Sequence, residues 1–291
     1  MKSRLNRLTI GDYFISLFLI LFALIIILPV WHILMISIVP PHVFNANRVL
    51  LWPSELTLES FRIIFTNPLI RSGFSNTIFV AIASTVYSMI LNVFFAYVML
   101  KPIPGRRLIW VFLTFTMFFG GGIVPWFLMI ANTLNLMNSL WAMVLPSAGI
   151  SIFTVILMQS YIRTLPAEYE EAARIDGAGD LRVLFSIILP LCKPMLATLA
   201  LFAAVAGWNR WFEGLMFMQR PSGHPLQLVL RNIIQNATLA LEGVPHSARL
   251  GAFGEGLQMA AVLTAMLPII CVYPFLQKYF VKGITLGGVK G

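Results

Sequence analysis

Residues 13–39 read YFISLFLILFALIIILPVWHILMISIV, and this run contains no Asp, Glu, Lys or Arg. A helix that crosses a bilayer needs about 20 consecutive apolar residues, so the run predicts a membrane-spanning helix. Basic residues precede it, as they would in a signal peptide, but the apolar core of a signal peptide is only about 7–15 residues long. We therefore predict that this helix is retained.

The composition of the whole chain indicates the same class of protein. Of its 291 residues, 59% are hydrophobic and only 11% are charged, whereas a soluble domain carries about 25% charged residues. This balance excludes a water-soluble globule, a disordered chain and a coiled coil. We predict an all-α, polytopic membrane protein.

Further uncharged stretches predict the other spans. Residues 108–162 carry no charge but are too long for one crossing, and a polar patch at residues 132–135 divides them into two. With the first helix at 13–39, six transmembrane helices are predicted. The other five lie at about 72–100, 108–130, 139–161, 194–218 and 256–277.

The basic residues predict the orientation. Thirteen of the 20 Lys and Arg residues lie in the amino terminus, the second and fourth loops and the carboxyl tail, which share one side of the membrane in a six-helix chain. Because Lys and Arg are enriched in cytoplasmic loops, both termini are predicted to be cytoplasmic. The formal net charge of +9 is thus a topology signal, and no nucleic-acid partner is expected.

Two long loops are predicted on the outer side, at residues 40–72 and 219–255. The first contains an amphipathic stretch at 58–65, and the second a helical pattern at 226–241. Loops longer than about 15 residues are usually functional or disordered, and these apolar patterns favour order. A docking surface for another protein and a simple cap on the helix bundle both remain open.

The fourth loop, residues 163–190, is unlike the others because it holds five of the chain's eleven acidic residues. Pro166 suits the first turn of a helix, and glutamates follow it where the helix dipole favours negative charge. Gly177 is placed to end that helix, Asp180 to cap a second one at residues 181–189, and Pro190 to close it. We predict a rigid pair of short helices.

The residues alone leave two uses for this helix pair. It could lie on the lipid headgroups, or it could project into a cytosolic partner. A helix on a membrane surface is usually basic, whereas this tip is acidic, and paired alanines allow close approach of another backbone. The partner is therefore favoured, and phosphate repulsion argues against a DNA-binding helix-turn-helix.

The same loop carries a family resemblance. Glu171-Ala172-Ala173, then Gly177 after three residues, then Ile188-x-Pro190, resembles the EAA motif of permease subunits of ATP-binding-cassette (ABC) importers. The stretch 165–180, LPAEYEEAARIDGAGD, is similar to the carbohydrate-uptake branch, as in the second permease of the maltose importer. The tail from Tyr273 to Gly291 resembles permeases for oligosaccharides or polysaccharide fragments.

The resemblance covers residues 74–291 and implies a division of the chain. Residues 1–73 would form the amino-terminal tail, first helix and external loop. Residues 74–291 would form a permease core of the type I ABC importer fold, with the EAA loop at 163–190 and a carboxyl tail at 278–291 that reaches toward the ATPase in maltose-type relatives.

The resemblance also implies partners. Such a permease pairs with a homologous second permease in the bacterial cytoplasmic membrane, two ATPase subunits bind inside, and a binding protein delivers sugar outside. The chain would form half of the translocation path without being an enzyme, holding no cofactor or metal, while ATP and Mg would bind to the partner ATPase. The residues assigned to ATPase coupling are Glu170, Glu171, Ala172, Ala173, Asp176 and Gly177.

A second cluster of candidates lies near the outer end of the fifth predicted helix. It comprises Trp208, Asn209, Arg210, Trp211 and Glu213. Arg210 and Glu213 are one helical turn apart and are predicted to pair. Aromatic rings beside polar groups can stack on sugars, so a place on the translocation path is one interpretation; an interfacial aromatic belt with a snorkelling ion pair is the other.

Missing motifs limit the alternatives. The chain has no GxxxxGK[ST] phosphate loop, no HExxH and no GxSxG, so neither ATP binding nor a membrane enzyme is indicated. An ion-gradient-driven secondary transporter is the competing hypothesis. Such a protein should place carboxylates within its helices, and here Glu213 is the main candidate.

Overall fold

A computed structural model describes residues 10–44, 51–235 and 254–288, with side chains as far as residue 271. Throughout these residues the regular secondary structure is helical, which confirms the all-α prediction. In chain order the helices are α1 (Ile10–Ser37), α2 (Glu59–Thr66), α3 (Pro68–Val98), α4 (Arg106–Phe118), α5 (Ile123–Leu128), α6 (Trp141–Val144), α7 (Ile152–Ile162), α8 (Glu168–Ile175), α9 (Asp180–Val183), α10 (Leu189–Leu191), α11 (Lys193–Trp208), α12 (Trp211–Phe217), α13 (Leu226–Gln235) and α14 (Gly254–Gly288).

Three of these helices are long and apolar enough to cross a membrane without interruption: α1, α3 and α14. Two further candidates in the described part are bent pairs of helices, and α7 is apolar but only 11 residues long. The predicted spans are therefore present as apolar helical segments, but several are broken. The large side chains of α1 between Tyr13 and Leu28 are exposed, as expected for a helix surrounded by lipid.

The predicted continuous helix at 108–130 is wrong, because the chain turns by 108° between α4 and α5. The turn lies in a run of three glycines. Gly121 and Gly122 have φ of 66° and 89°, a backbone conformation that costs other residues energy. After the turn, α5 runs into a π-helical turn, Met129–Thr133.

The predicted helix at 139–161 is also interrupted, between α6 and α7. The buried Asn92 of α3 bridges this break. Its Oδ1 accepts from the backbone N–H of Ser151 at 2.7 Å, and its Nδ2 donates to the carbonyl of Gly149 at 3.2 Å. One turn further along α3, Gln159 of α7 donates to the carbonyl of Ala96 at 2.9 Å.

The predicted span at 194–218 ends early, because α11 stops at Trp208 and α12 starts at Trp211. Arg210 lies in the break with non-helical backbone angles, φ −80° and ψ 51°. Its side chain is buried and donates from Nη1 to the carbonyl of Met143, the carbonyl of a residue in α6. At the other end of α11, an 84° bend separates it from α9 and α10.

The close packing of α11 on α3 organises this part of the chain. At Gly207 a Cβ atom would lie 2.8 Å from the Cα of Ala81, so the two helix backbones approach more closely than a side chain would allow. Small residues spaced four apart, here Ala203 and Gly207, allow such close packing of membrane helices. Near the bend, a core cluster joins α3, α7, α9 and α11; it includes Tyr97, Met158, Leu184, Cys192 and Leu199.

The helices predicted in the outer loops are present. α2 occupies the amphipathic stretch of the first loop, and α13 the start of the helical pattern in the second; residues 236–253 lie outside the described residues. The chain divides into two compact units, residues 68–229 with 267–291, and residues 1–67 with 230–266. The division at residue 73 implied by the resemblance stays a prediction.

The packing at Gly207 makes a prediction about stability. Replacing Gly207 by Ala puts a methyl group against the backbone of α3, and such overpacking costs about 1–3 kcal/mol even though Ala favours the helix. We expect a lower Tm in thermal unfolding of the detergent-solubilised protein. Gly120→Ala is the control, since a Cβ there meets nothing within 4 Å; equal Tm values for the two variants would contradict the packing argument.

Candidate functional site

The loop at 163–190 folds as the predicted pair of short helices. α8 starts at Glu168, with Glu168, Glu170 and Glu171 in its first turn, and α9 follows after a turn of four residues. We call this helix pair, α8 and α9 with the turn between them, the hairpin. A π-helical turn, Leu184–Ile188, leads from α9 into α10.

The turn of the hairpin is closed by Gly177, as predicted. Its φ of 79° lies in the left-handed region, and the N–H of Gly177 donates to the carbonyl of Arg174 at 3.0 Å. The N–H of Ala178 donates to the carbonyl of Ala173 at 2.9 Å. These two bonds are the Schellman arrangement that ends many helices, and they fix the direction in which the chain leaves α8.

The prediction that Asp180 caps α9 is wrong. Gly179 occupies the N-cap position, and no side chain there accepts a backbone hydrogen bond. The carboxylate of Asp180 instead accepts from the guanidinium of Arg174 and lies 3.7 Å from Nζ of Lys101. The presence of two cations within reach favours ion pairing over capping.

Glu170 joins the same group of charges. Its Oε1 accepts from Nη2 of Arg174 at 2.9 Å and from Nε at 3.1 Å, and it also accepts from Nζ of Lys101. We call these four side chains, Lys101, Glu170, Arg174 and Asp180, the ionic network. It contains two positive and two negative charges, and Lys101 alone comes from outside the 163–190 loop.

The ionic network stays charged over a wide pH range. Partial burial would raise the pKa of Glu170, but the hydrogen bonds from Lys101 and Arg174 outweigh it and lower that pKa. Partial burial would lower the pKa of Lys101, whereas its hydrogen bond to Glu170 raises that pKa; the net effect is a raised pKa. The carboxylates stabilise the folded state fully above their ordinary pKa of about 4, and this stabilisation is lost as the pH falls further. Lys101 stabilises the folded state below its ordinary pKa of about 10, and this stabilisation is lost as the pH rises further. Physiological pH changes therefore leave the network intact.

The hairpin presents a defined surface to solvent. Of the residues predicted to couple to an ATPase, Glu171, Ala172, Asp176 and Gly177 are exposed. Ala173 is partly buried and packs, with Ala178, against the core cluster at the base of the hairpin. Glu170 is also half-buried, and its carboxylate is occupied by the ionic network. The six predicted residues thus divide into an outer surface and an inner, supporting side.

Two residues of this site were missed by the sequence patterns. Ile175 is 86% exposed beside the turn, the highest exposed fraction among the large hydrophobic side chains that the structure describes. Its position before Asp176-Gly177 was a signal that could have identified it. Lys101 was counted only as a basic loop residue; no local signal could connect it to Glu170, 69 positions away.

The second candidate cluster does not converge on one site. Trp208 is 9% exposed, with its ring edge-on to Phe74 at 5.8 Å. Asn209 is exposed and donates from Nδ2 to the carbonyl of Val205 at 2.9 Å. Trp211 is partly buried and its ring lies edge-on to Phe212 at 5.6 Å.

The predicted ion pair between Arg210 and Glu213 is wrong. Among the described residues the two do not come within 4 Å as an ion pair, and Arg210 bonds the carbonyl of Met143 instead. The physical reason is the helix break: Arg210 precedes α12 rather than lying one turn before Glu213 on a continuous helix. Glu213 is partly buried in the first turn of α12.

A cavity of about 760 Å³ adjoins Trp208 and Asn209. Its walls come from α3, α11, Asn209, and Pro268 and Ile269 of α14. Trp208 and Asn209 carry the polar side-chain groups of a lining that is otherwise apolar. The other lining residues are Ile78, Ala81, Ile82, Leu201, Phe202, Ala204, Val205 and Ala206.

Comparison with known proteins identifies relatives along almost the whole chain. The family model described as binding-protein-dependent transport system inner membrane component matches residues 5–286. A polygalacturonan/rhamnogalacturonan transport system permease protein of Bacillus subtilis (strain 168) is 34% identical over 98% of this chain and 99% of its own. A maltodextrin transport system permease protein of the same organism is 31% identical over 81% of each chain.

A solved structure is similar as well. A chain of a bacterial ABC transporter involved in the import of the acidic polysaccharide alginate superimposes with a TM-score of 0.83. It is 31% identical, and the match covers 96% of this chain and 99% of that one.

The turn of the hairpin yields a prediction with an internal control. Gly177→Ala forces a side chain into the left-handed region, at a cost of about 1–2 kcal/mol, although nothing lies within 4 Å of the new methyl group. Gly179→Ala, two residues away, is also in open space but has an ordinary φ of −71°. We expect faster amide hydrogen exchange in α8 for the first variant only. Equal exchange in both variants would refute the strain argument.

Proposed function

We propose that this chain, which belongs to the family of binding-protein-dependent transport system inner membrane components, is one permease subunit of an ATP-driven importer of oligosaccharides or polysaccharide fragments. Its predicted permease fold is confirmed by the family match and by the similarity to a chain of an ABC importer. The family gives no support to the ion-gradient alternative.

The observation that carries the proposal is the hairpin. Force can pass between an ATPase and membrane helices only through an element that is rigid, exposed at one end and fixed at the other. The hairpin has these properties: its turn is closed by two backbone bonds, Ile175 and Glu171 are exposed, and Ala173 packs on the core cluster. We assign it the role of docking an ATPase subunit.

The shape of the exposed surface suits a groove on such a partner. Ile175 supplies an apolar anchor, and Leu181, 65% exposed, lies on the other side of the turn. Acidic Glu171 and Asp176 flank the anchor. Anchors of this kind, surrounded by polar groups, carry most of the binding energy in protein interfaces. The complementary groove should be apolar at its centre and basic at its edge.

The rest of the assembly follows from this role. ATP and Mg would bind to two ATPase subunits on the cytoplasmic side, the side of the hairpin and of both termini. Of the basic residues that predict this orientation, several lie outside the described residues: Lys2, Arg4, Arg7, Arg48, Arg249 and Lys290. The carboxyl tail is helical as far as Gly288 and would approach the ATPase from the same side.

A binding protein would deliver sugar on the outer side; membership of a binding-protein-dependent family supports this partner. A homologous second permease would complete the translocation path. Trp208 and Asn209 are our candidates on this half of the path, because they border the cavity between α3 and α11. The predominantly apolar wall beyond them is suited to contact with lipid or with helices of the second permease.

Reconstitution tests the proposal as a whole. The permease pair, ATPase and binding protein are placed in liposomes, with the binding protein outside and ATP inside. Uptake of labelled oligogalacturonides and maltodextrins is then measured with ATP and with a non-hydrolysable analogue. We expect ATP-dependent uptake of an oligosaccharide; uptake that proceeds without the ATPase would overturn the assignment.

The exposed side chain of Ile175 leads to a prediction about ATPase binding. Ile175→Ala removes apolar area from the centre of the proposed interface, and loss of such an anchor typically weakens binding by about tenfold or more. We expect less ATPase to co-purify with the permease and a parallel loss of sugar uptake. The matched control is Leu108→Ala, which truncates another aliphatic side chain, 75% exposed, outside the hairpin. If both variants retain full uptake, the docking role is wrong.

A further inference from the structure

We propose that Lys101 is a positioning residue that ties the ATPase-docking hairpin to α3, so that movement of the hairpin passes into α3 as well as into α7 and α11. The inference rests on the proposed docking role of the hairpin. The chain itself already connects the hairpin to α7 at one end and to α11 at the other. Lys101 adds a third connection, to α3, which is made by side chains.

The first step is the rigidity of the Lys101 backbone. Lys101 follows α3 by three residues, and its N–H donates to the carbonyl of Val98 at 3.0 Å. Its carbonyl accepts from the N–H of Ile103 at 2.9 Å. Nζ lies 4.5 Å from the centre of the Tyr97 ring, and Tyr97 is buried in the core cluster of α3. The ammonium group is therefore fixed relative to α3 before it meets the hairpin.

The second step is that Arg174 and Lys101 make different connections within the ionic network. Arg174 pairs with both Glu170 and Asp180, so it joins α8 to α9 inside the hairpin. Lys101 pairs with the same two carboxylates from outside. Side-chain exposure is 23% for Lys101 and 30% for Glu170, against 45% for Arg174 and 57% for Asp180. The bond that leaves the hairpin is the better shielded one, and shielding strengthens ion pairs.

The third step is the weakness of the contact between α8 and the core. The buried Val183 anchors α9 in the core cluster, but α8 meets the cluster through Ala173, with Ala178 in the turn beside it. Their methyl groups cover little area and offer little resistance to tilting of α8. A charge pair with a fixed partner restricts tilt because its energy depends on direction and distance. Without Lys101 the hairpin keeps its Schellman turn and its Arg174 pairs, so it stays folded but is held less firmly to α3.

Because the hairpin should stay folded without Lys101, a Lys101 variant tests its attachment to α3 alone. Lys101→Met keeps the length of the side chain and removes its charge. The variant should reach the membrane and bind the ATPase, because the outer surface of the hairpin is unchanged. The ratio of sugar imported to ATP hydrolysed should fall about fivefold, the order expected for the loss of one partly shielded ion pair. Lys101→Arg, which retains the charge, should restore most of that ratio.

Two further variants separate positioning from general structural damage. Arg107→Met removes another basic residue a few positions along the chain, in the first turn of α4. Arg107 forms no ion pair among the described residues, so the ratio of this variant should equal that of the unmodified protein. Glu170→Gln weakens the same bond from the hairpin side together with the Glu170–Arg174 pair inside α8, so it should lower the ratio less when Lys101 is already replaced by Met than it does in the unmodified protein. If Lys101→Met is not inserted, Glu170→Gln takes its place in the measurement.

The outcomes are distinct. An unchanged transport ratio in Lys101→Met, or an equal loss in Arg107→Met, overturns the inference. Loss of ATPase co-purification in Lys101→Met also overturns it, since it would place Lys101 in the docking surface or the folding of the hairpin. Ile175→Ala is measured in the same liposomes: if it abolishes uptake while Lys101→Met does not alter the ratio, only the positioning role fails. If Ile175→Ala also has no effect, the docking role fails.

Discussion

The backbone of a membrane-embedded chain must satisfy its hydrogen bonds within the protein, because the hydrocarbon core offers no water. This constraint explains which polar side chains occupy the spans. Each of several helix breaks is bridged by one of them: Asn92 supplies both bonds at the break before α7, and Arg210 donates to the end of α6 from the break before α12. Between the π-helical turn and α6, Oδ1 of Asn138 accepts from the N–H groups of Gln219 and Arg220 at 2.8 and 3.2 Å.

The same constraint changes the interpretation of the charged residues. An ionisable residue at membrane depth usually indicates a functional path, and Arg210 attracted that interpretation from its sequence position. In the structure, its guanidinium supports a broken helix. Removal of Arg210 would therefore damage the fold whatever its part in transport, so Trp208 and Asn209, which border the cavity, are the more informative residues for studying the path.

Local patterns in the sequence were sufficient where the structure is decided locally. Pro166 and Gly177 act through backbone angles and a missing N–H group, so they predicted the first helix of the hairpin and its turn. The prediction that Pro190 closes the second helix is wrong, because the helical segment continues through Pro190 as α10. The break at Arg210 could not be placed in the same way, because a helix in lipid tolerates such a break only when a distant group bonds the freed backbone. Asp180 illustrates the general limit: its capping preference is local, but Lys101 and Arg174 decide where its carboxylate goes.

An ionic attachment suits a part that must move with an ATPase and yet remain aligned. Apolar packing contributes about 25 cal/mol per Å² and holds only while surfaces touch, so a hairpin clamped by large apolar side chains would either stay fixed or separate abruptly. Charges act over several ångströms and weaken gradually with distance. The buried Val183 anchors α9 in the core, whereas α8 meets the core through the small Ala173 and has the ionic network on one side. α8 can therefore shift by small amounts while its direction is restored by Lys101. Four of the few charges of this chain thus lie where a helix pair must be held without being immobilised.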